Sequence, residues 1–186
     1  MNQFRIAVVV GSLRKESHNK ALAAALAKLA PSDFTFDTLR IDDLPLYNQD
    51  DDGSQSPQVT RLKGAISAAA GVIFVTPEYN RSIPGVLKNA IDDASRPYGQ
   101  SAWGGKPAGV LGISIGQIGT AIAQQHLRTV LAYLDMPTLN QPEAFVQWTD
   151  GLVTPEGEVG DASRAFLDGW MTAFLELVRG HAAIAR

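Results

Sequence analysis

The segment Ile6-Ala7-Val8-Val9-Val10-Gly11-Ser12-Leu13-Arg14-Lys15-Glu16-Ser17-His18-Asn19 decides how this chain folds. A continuous apolar run from Ile6 to Val10 reads as a strand covered on both faces. Gly11 permits a tight exit from it. A helix begins near His18 and places Leu22, Ala25, Leu26 and Leu29 on one face until Pro31 ends it. The loop from Gly11 to Asn19 therefore joins a buried strand to a helix N-terminus, where free N–H groups and the positive dipole end gather. Ser12, Ser17 and Asn19 add side-chain donors and Arg14 a charged fork, which together make a phosphate site that needs no metal. The plainer alternative is that Ser17 only caps the helix while Arg14 and Lys15 are solvated.

Outward from that segment the same alternation continues. Val72–Val75 and Val110–Ile115, the latter interrupted by Gly112 and Ser114, are further apolar runs and read as central strands. Phe34–Ile41 mixes apolar residues with Asp37 and Arg40, and Thr138–Gln147 carries Pro142, so both read as edge strands. Helices are expected over Gln58–Ala69, Pro84–Ala94 (Pro84 in its first turn), Ile118–Leu134 and Ala162–Arg179. No linker or internal repeat interrupts the chain, so residues 1–186 read as one α/β domain. Right-handed crossovers and three central strands between two edges give a parallel five-stranded sheet of order 2-1-3-4-5, with helices on both faces. Ligands of such a sheet sit beyond the strand C-termini, where loops 11–19, 76–84 and 114–120 converge.

Composition narrows the function. The formal net charge of -3, with acidic and basic residues interspersed, argues against a nucleic-acid binder. With no cysteine in the chain, thiolate catalysis and disulfides are excluded. The N-terminal apolar run is one strand long, with no basic n-region or cleavage site, and no run approaches the ~20 residues needed to span a bilayer. A soluble cytoplasmic protein with no membrane partner is expected. Asn80-Arg81-Ser82 fits a glycosylation sequon without a secretory context to give it meaning.

Each loop suggests a different part of one ligand. Glu16 stands where a Walker A loop needs glycine, and Leu13 where a dinucleotide fingerprint needs its second glycine. A hydroxyl-rich loop suits a terminal phosphomonoester, which favours a mononucleotide. In the second loop, Pro77 and Pro84 stiffen the chain, Tyr79 offers a flat face and Asn80 both amide polarities; these suit a planar heterocycle, although Tyr79 covering core and Asn80 holding a turn is an equal alternative. The third loop, Ser114-Ile115-Gly116-Gln117-Ile118-Gly119-Thr120, offers two glycines and exposed N–H groups ahead of a helix.

Gly11-Ser12-Leu13-Arg14-Lys15-Glu16-Ser17 with Asn19, and Pro77-Glu78-Tyr79-Asn80 leading into Ile83-Pro84-Gly85 and Leu87-Lys88-Asn89-Ala90-Ile91-Asp92, resemble the NAD(P)H-dependent FMN reductase family. The likeness is greatest to its bacterial quinone and chromate reductase branch, and extends to Gly105-Lys106-Pro107, His126-Leu127-Arg128 and Pro142-Glu143. The resemblance implies a flavodoxin-like fold, noncovalent FMN and NADH or NADPH as hydride donor. It places the phosphate at Ser12, Arg14, Ser17, His18 and Asn19, and the isoalloxazine at Pro77, Glu78, Tyr79 and Asn80. Ser114, Gly116, Gln117 and Gly119 then lie along its other edge. It also implies a homodimer or homotetramer, with Arg128 and Glu143 matching inter-subunit polar contacts. Arg81 stands where some relatives carry an aromatic residue.

The expected activity is ping-pong hydride transfer through flavin N5 to a small acceptor: a quinone, free flavin, an azo compound or chromate. No catalytic side chain is required, because backbone dipoles can stabilise the reduced ring. The rival readings are a flavodoxin-type electron carrier and a flavin-sequestering scaffold. Basic Arg14, Lys15 and Arg81 at the mouth suit an anionic nicotinamide nucleotide better than an acidic carrier surface would. Asn48, Asp50, Asp52 and Gly53 imitate an EF-hand opening, but Val59 occupies the place of its bidentate Glu. His18, His126 and His181 lack zinc-site spacing, so no metal is expected. A receiver-type signalling domain would need acidic residues where Gly11-Ser12 and Thr76-Pro77 stand.

Overall fold

The computed structural model describes residues 3–184. Strands β1 (Phe4–Val10), β2 (Phe34–Thr38), β3 (Gly71–Val75), β4 (Ala108–Ser114) and β5 (Ala144–Gln147) form one parallel sheet in the order β2-β1-β3-β4-β5. This is the expected order, with β2 and β5 at the edges. Helices α1 (His18–Ala27), α2 (Pro57–Ala68), α3 (Gly85–Ala94), α4 (Ala121–Tyr133) and α5 (Asp161–Ile184) cover its two faces, and a one-turn 3-10 helix spans Gln49–Asp51.

Alternation along the strands creates two cores. Ile6, Val8, Val10, Ile73, Leu111 and Ile113 point to one face and meet Leu22 and Leu26 of α1 with Trp170, Phe174 and Val178 of α5. Ala7, Val9, Val72, Phe74 and Val110 point to the other, against Leu62, Ile66, Leu87, Ile91, Leu127 and Leu131 from α2, α3 and α4. A strand segment buried on both sides has no place for a polar residue, which is why Ile6–Val10 of β1 is an unbroken apolar run, while Arg5 lies at the exposed start of the strand. Gly109 answers the bulk of α5: a Cβ there would sit 2.8 Å from the Trp170 ring.

Several boundaries differ from the sequence reading. β2 stops at Thr38; Leu39 still donates its N–H to Val8, but the chain then leaves the sheet and Ile41 packs into the α2–α4 core. β5 begins only at Ala144, so Pro142 precedes the strand, and Thr138 contributes an isolated bridge to Ala108. Pro84 is the N-cap of α3, with extended backbone, one position ahead of the first turn. α4 starts at Ala121 instead of Ile118 because Gly119 (φ 57°) and Thr120 (φ 75°) adopt left-handed backbone that no helix admits.

Asp93 of α3 is a buried carboxyl whose Oδ2 accepts from Asn89 at 3.1 Å. Burial, with Asp92 beside it, pushes its pKa up to about 6. The unfolded chain ionises this group near ~3.9, so its contribution is full below that pH and is lost as pH rises through the folded value. Asp93→Asn is therefore expected to raise stability by about 2 kcal/mol at pH 8 and to change little at pH 4. Melting curves at the two pH values check this; equal shifts at both would show that titration is not the cause.

Candidate active site

The carboxyl ends of β1, β3 and β4 release the three loops expected to converge, and they do. Ser12, Arg14, Ser17, His18 and Asn19 line a cleft of about 220 Å³ together with Pro77, Glu78, Tyr79 and Ser114. A wider cleft of about 530 Å³ is lined by Glu78, Asn80, Arg81, Ser114, Gly116, Gln117 and Gly119, with Ile118 and Thr120. Glu78 and Ser114 line both. Of the expected residues, Gly11 alone faces neither. Its N–H donates to Val75 at 2.9 Å, and a Cβ there would press on Leu87 Cδ2 at 3.1 Å. Close approach to α3 leaves a side chain little room here.

In the first loop Ser17 does cap α1, accepting weakly from Lys20 N–H at 3.4 Å. The N–H groups of His18 and Asn19 keep no partner among the described residues, and no acidic side chain stands in this first turn, so the positive end of α1 is open to an anion. The His18 ring stacks on Trp148, centroids 3.8 Å apart. Asn19 is buried and its side chain is already engaged. Its Nδ2 donates to Ile113 O at 2.9 Å and its Oδ1 accepts from Ile113 N–H at 3.1 Å. β3 pairs with β4 only as far as Leu111, whose carbonyl takes Thr76 N–H, and Ile113 faces the same way two residues on. The Asn19 amide thus stands in for the next residue of a strand that has ended, and only its backbone N–H is left for a ligand.

In the second loop, Tyr79 and Ser82 exchange both backbone hydrogen bonds at 3.0 Å around Asn80 (φ 51°) and Arg81 (φ 63°). This is a type I′ turn. Asn tolerates that backbone, whereas an arginine there is strained. Glu78 is nearly buried and works between loops. Its Oε2 accepts from the N–H groups of Ile122 (3.0 Å) and Ala123 (3.1 Å), and its Oε1 meets Arg81 Nη1 at 3.2 Å. Thr120, the N-cap of α4, makes no capping bond of its own, so Glu78 supplies the cap from 42 residues earlier in the chain.

The third loop is held from behind. Thr120 is buried, and Gln124 Nε2 donates to its Oγ1 at 3.0 Å and to Ala144 O at 2.9 Å. Gly119 leaves no space for a side chain, since a Cβ would lie 2.7 Å from the Phe145 carbonyl carbon. Ser114 Oγ accepts from Gly116 N–H at 3.1 Å, which curls the loop over the wider cleft. Sequence reading did not single out Trp148 or Thr120 as functional. The rule that ligands sit at strand carboxyl ends points to Trp148, which directly follows β5.

This donor set fits an elongated anion carrying a planar ring. Free N–H groups, Ser12, Ser17 and Arg14 surround the narrow cleft, and the loop at 114–119 borders the wide one. Among the described residues no group of three or more His, Asp or Glu could hold a metal, and no helix is long and apolar enough to cross a membrane. Away from the clefts, Arg128 donates to Leu139 O at 2.8 Å and lies 4.0 Å from Glu143, leaving its Nε and Nη2 buried without hydrogen bonds.

Comparison with known proteins identifies the ring. Residues 4–150 match the family model described as NADPH-dependent FMN reductase. The chain is similar to a 2-hydroxy-1,4-benzoquinone reductase of Burkholderia sp, at 55% identity over 177 residues covering 94% of this chain and 96% of that protein. It is also similar to a quinone reductase of Pseudomonas putida, at 46% identity covering 97% and 98%. Among solved structures, the flavoenzyme NAD(P)H:(acceptor) oxidoreductase FerB of Paracoccus denitrificans superposes with a TM-score of 0.92 at 45% identity, covering 96% of this chain and 98% of that one. With near-complete mutual coverage at these identities, the chain is an FMN-dependent oxidoreductase drawing on NAD(P)H and belongs to the NADPH-dependent FMN reductase family.

Proposed function

We propose that the protein passes two electrons from NADH or NADPH to small quinones in alternating half-reactions at one crevice. The observation that carries this reading is the pair of clefts meeting at Glu78 and Ser114, the narrow one rich in anion donors and the wide one open to solvent. Bound FMN supplies the ring that takes up and gives out hydride. The protein binds and orients it. Ser12, Arg14, Ser17 and the N–H groups of His18 and Asn19 hold the phosphate, and Trp148 keeps the His18 ring in place. Pro77, Glu78, Tyr79 and Asn80 flank the ring, with Ser114, Gly116, Gln117 and Gly119 along its other edge. Backbone N–H groups of that loop offset negative charge that builds on reduction. No side-chain nucleophile is needed.

The names of the relatives support quinones as acceptors; free flavin, azo compounds and chromate are further candidates that an open cleft would admit. The same reading carries a cytoplasmic homodimer or homotetramer. Its decisive test is an absorbance spectrum of the purified protein before and after addition of FMN, then NADH or NADPH, then a quinone. Bound yellow flavin, bleached by the nucleotide and restored by the quinone, is expected. A colourless protein that cannot be reconstituted overturns the reading.

Within this assignment Arg14→Ala is expected to weaken FMN binding by about 1.5–3 kcal/mol, the contribution of a charged hydrogen bond. Fluorescence titration of the apoprotein measures it. An unchanged dissociation constant would remove Arg14 from the phosphate site.

A further inference from the structure

We propose that Arg81 selects acceptors that carry a negative charge beside the reducible ring, with ionised hydroxyquinones as the substrate class; this rests on the quinone-reductase reading above. Glu78 and Arg81 are the only charged side chains among the described lining of the wider cleft. They do not cancel. One carboxylate oxygen of Glu78 is engaged by the Ile122 and Ala123 N–H groups at the positive end of α4. The other takes a single Arg81 Nη1 donor at 3.2 Å. The remaining guanidinium donors have no partner among the described residues, and the side chain is 64% exposed. With the carboxylate nearly buried against the positive end of α4, the exposed guanidinium is the charge this wall presents to the cleft.

The arginine is also held in place. Its backbone is locked in left-handed geometry by the paired Tyr79–Ser82 hydrogen bonds, and its side chain is tethered to Glu78, itself anchored on α4. Glycine would occupy this position at lower conformational cost. An arginine kept at a strained backbone position on the wall of a binding cleft points to a use for its charge. A flat fork of N–H groups suits two adjacent coplanar oxygens. An ionised 2-hydroxyquinone presents such a pair, its enolate oxygen and the neighbouring carbonyl.

The redox balance gives the charge a second consequence. The hydroxyquinone anion takes the hydride of NAD(P)H, by way of the cofactor, and two protons from water; NAD(P)⁺ and a neutral triol leave. The acceptor arrives charged and departs uncharged, so Arg81 favours the substrate over its product and product inhibition is weak.

The test compares holoenzyme turnover of 2-hydroxy-1,4-naphthoquinone, ionised at neutral pH, with that of neutral 1,4-naphthoquinone, at saturating NADH or NADPH. In Arg81→Gly, which suits the left-handed backbone, the ratio of the two kcat/KM values is expected to fall about tenfold or more, as loss of a charged hydrogen bond would cause. Arg81→Gln gives the same comparison with a side chain of similar reach. In the wild type, raising the salt concentration should lower the ratio as well. An unchanged ratio in both variants overturns the proposal, as does a higher KM for NAD(P)H with the ratio intact, which would assign Arg81 to the donor. A wild-type holoenzyme that reduces neither quinone overturns the functional reading itself, and shows this before any variant is made.

Discussion

Replacing Glu78 with alanine is expected to lower stability by about 2–4 kcal/mol, and to loosen the wider cleft while leaving the sheet intact. The nearly buried carboxylate serves two N–H groups of α4 and the Arg81 guanidinium. Its removal leaves α4 without a side-chain cap, because Thr120 makes no capping bond. The loss falls on both loops at once. Glu78→Gln keeps a carbonyl oxygen for the two helix N–H groups but surrenders the charge and the acceptor for Arg81, so about half the loss is expected. Urea unfolding monitored by circular dichroism measures both variants. Quinone turnover should fall in the alanine variant even where it is fully folded, because the turn carrying Asn80 and Arg81 loses its tether. An unchanged unfolding midpoint would show that solvent caps α4 as well as Glu78 does.

A comparable or larger effect is expected from Gly112→Val. A Cβ at this position of β4 would lie 2.0 Å from the Thr76 carbonyl oxygen and 2.4 Å from Thr120 Oγ1. The first is backbone at the end of β3 and the second a fully enclosed hydroxyl, so neither can step aside. A cost of about 4 kcal/mol or more is expected, enough to abolish soluble expression of a protein of ordinary stability. Gly116→Ala is the informative comparison, since its nearest neighbour would be Ser114 Oγ at an ordinary 3.6 Å. Soluble yield and melting temperature should separate the two glycines, which differ by only four positions. Gly112 is needed because two strand exits and a helix start crowd one point, whereas Gly116 is needed only if a ligand approaches the loop.

That contrast marks how far the sequence could be read. The central strands were legible because burial on two faces leaves a largely apolar run, and the strand order followed from which runs were diluted by charged residues or proline. The edges were less so: half-buried Leu39 and buried Ile41 look like strand residues because they are apolar, but Ile41 packs into the α2–α4 core after the chain has left the sheet. Loop convergence followed from topology, and the expected residues other than Gly11 do line the two clefts. What individual residues do there was not legible. Glu78 acts on a helix 44 positions away, and Asn19 on a strand 94 positions away. Long-range hydrogen bonds leave no periodic trace in the chain. The left-handed backbone at Thr120 and Arg81 was hidden as well, because neither residue type advertises it.

The double bond of Asn19 to Ile113 has a consequence for how tightly a cofactor can be held. The first turn of α1 is riveted to the sheet by the protein's own amide, so the N–H groups proposed to hold the phosphate are in position beforehand. Little binding energy is then spent on ordering this loop, and more of the contact energy appears as affinity. Pre-organisation of this kind lets a small apolar-cored protein keep a dissociable nucleotide through many turnovers without a covalent link.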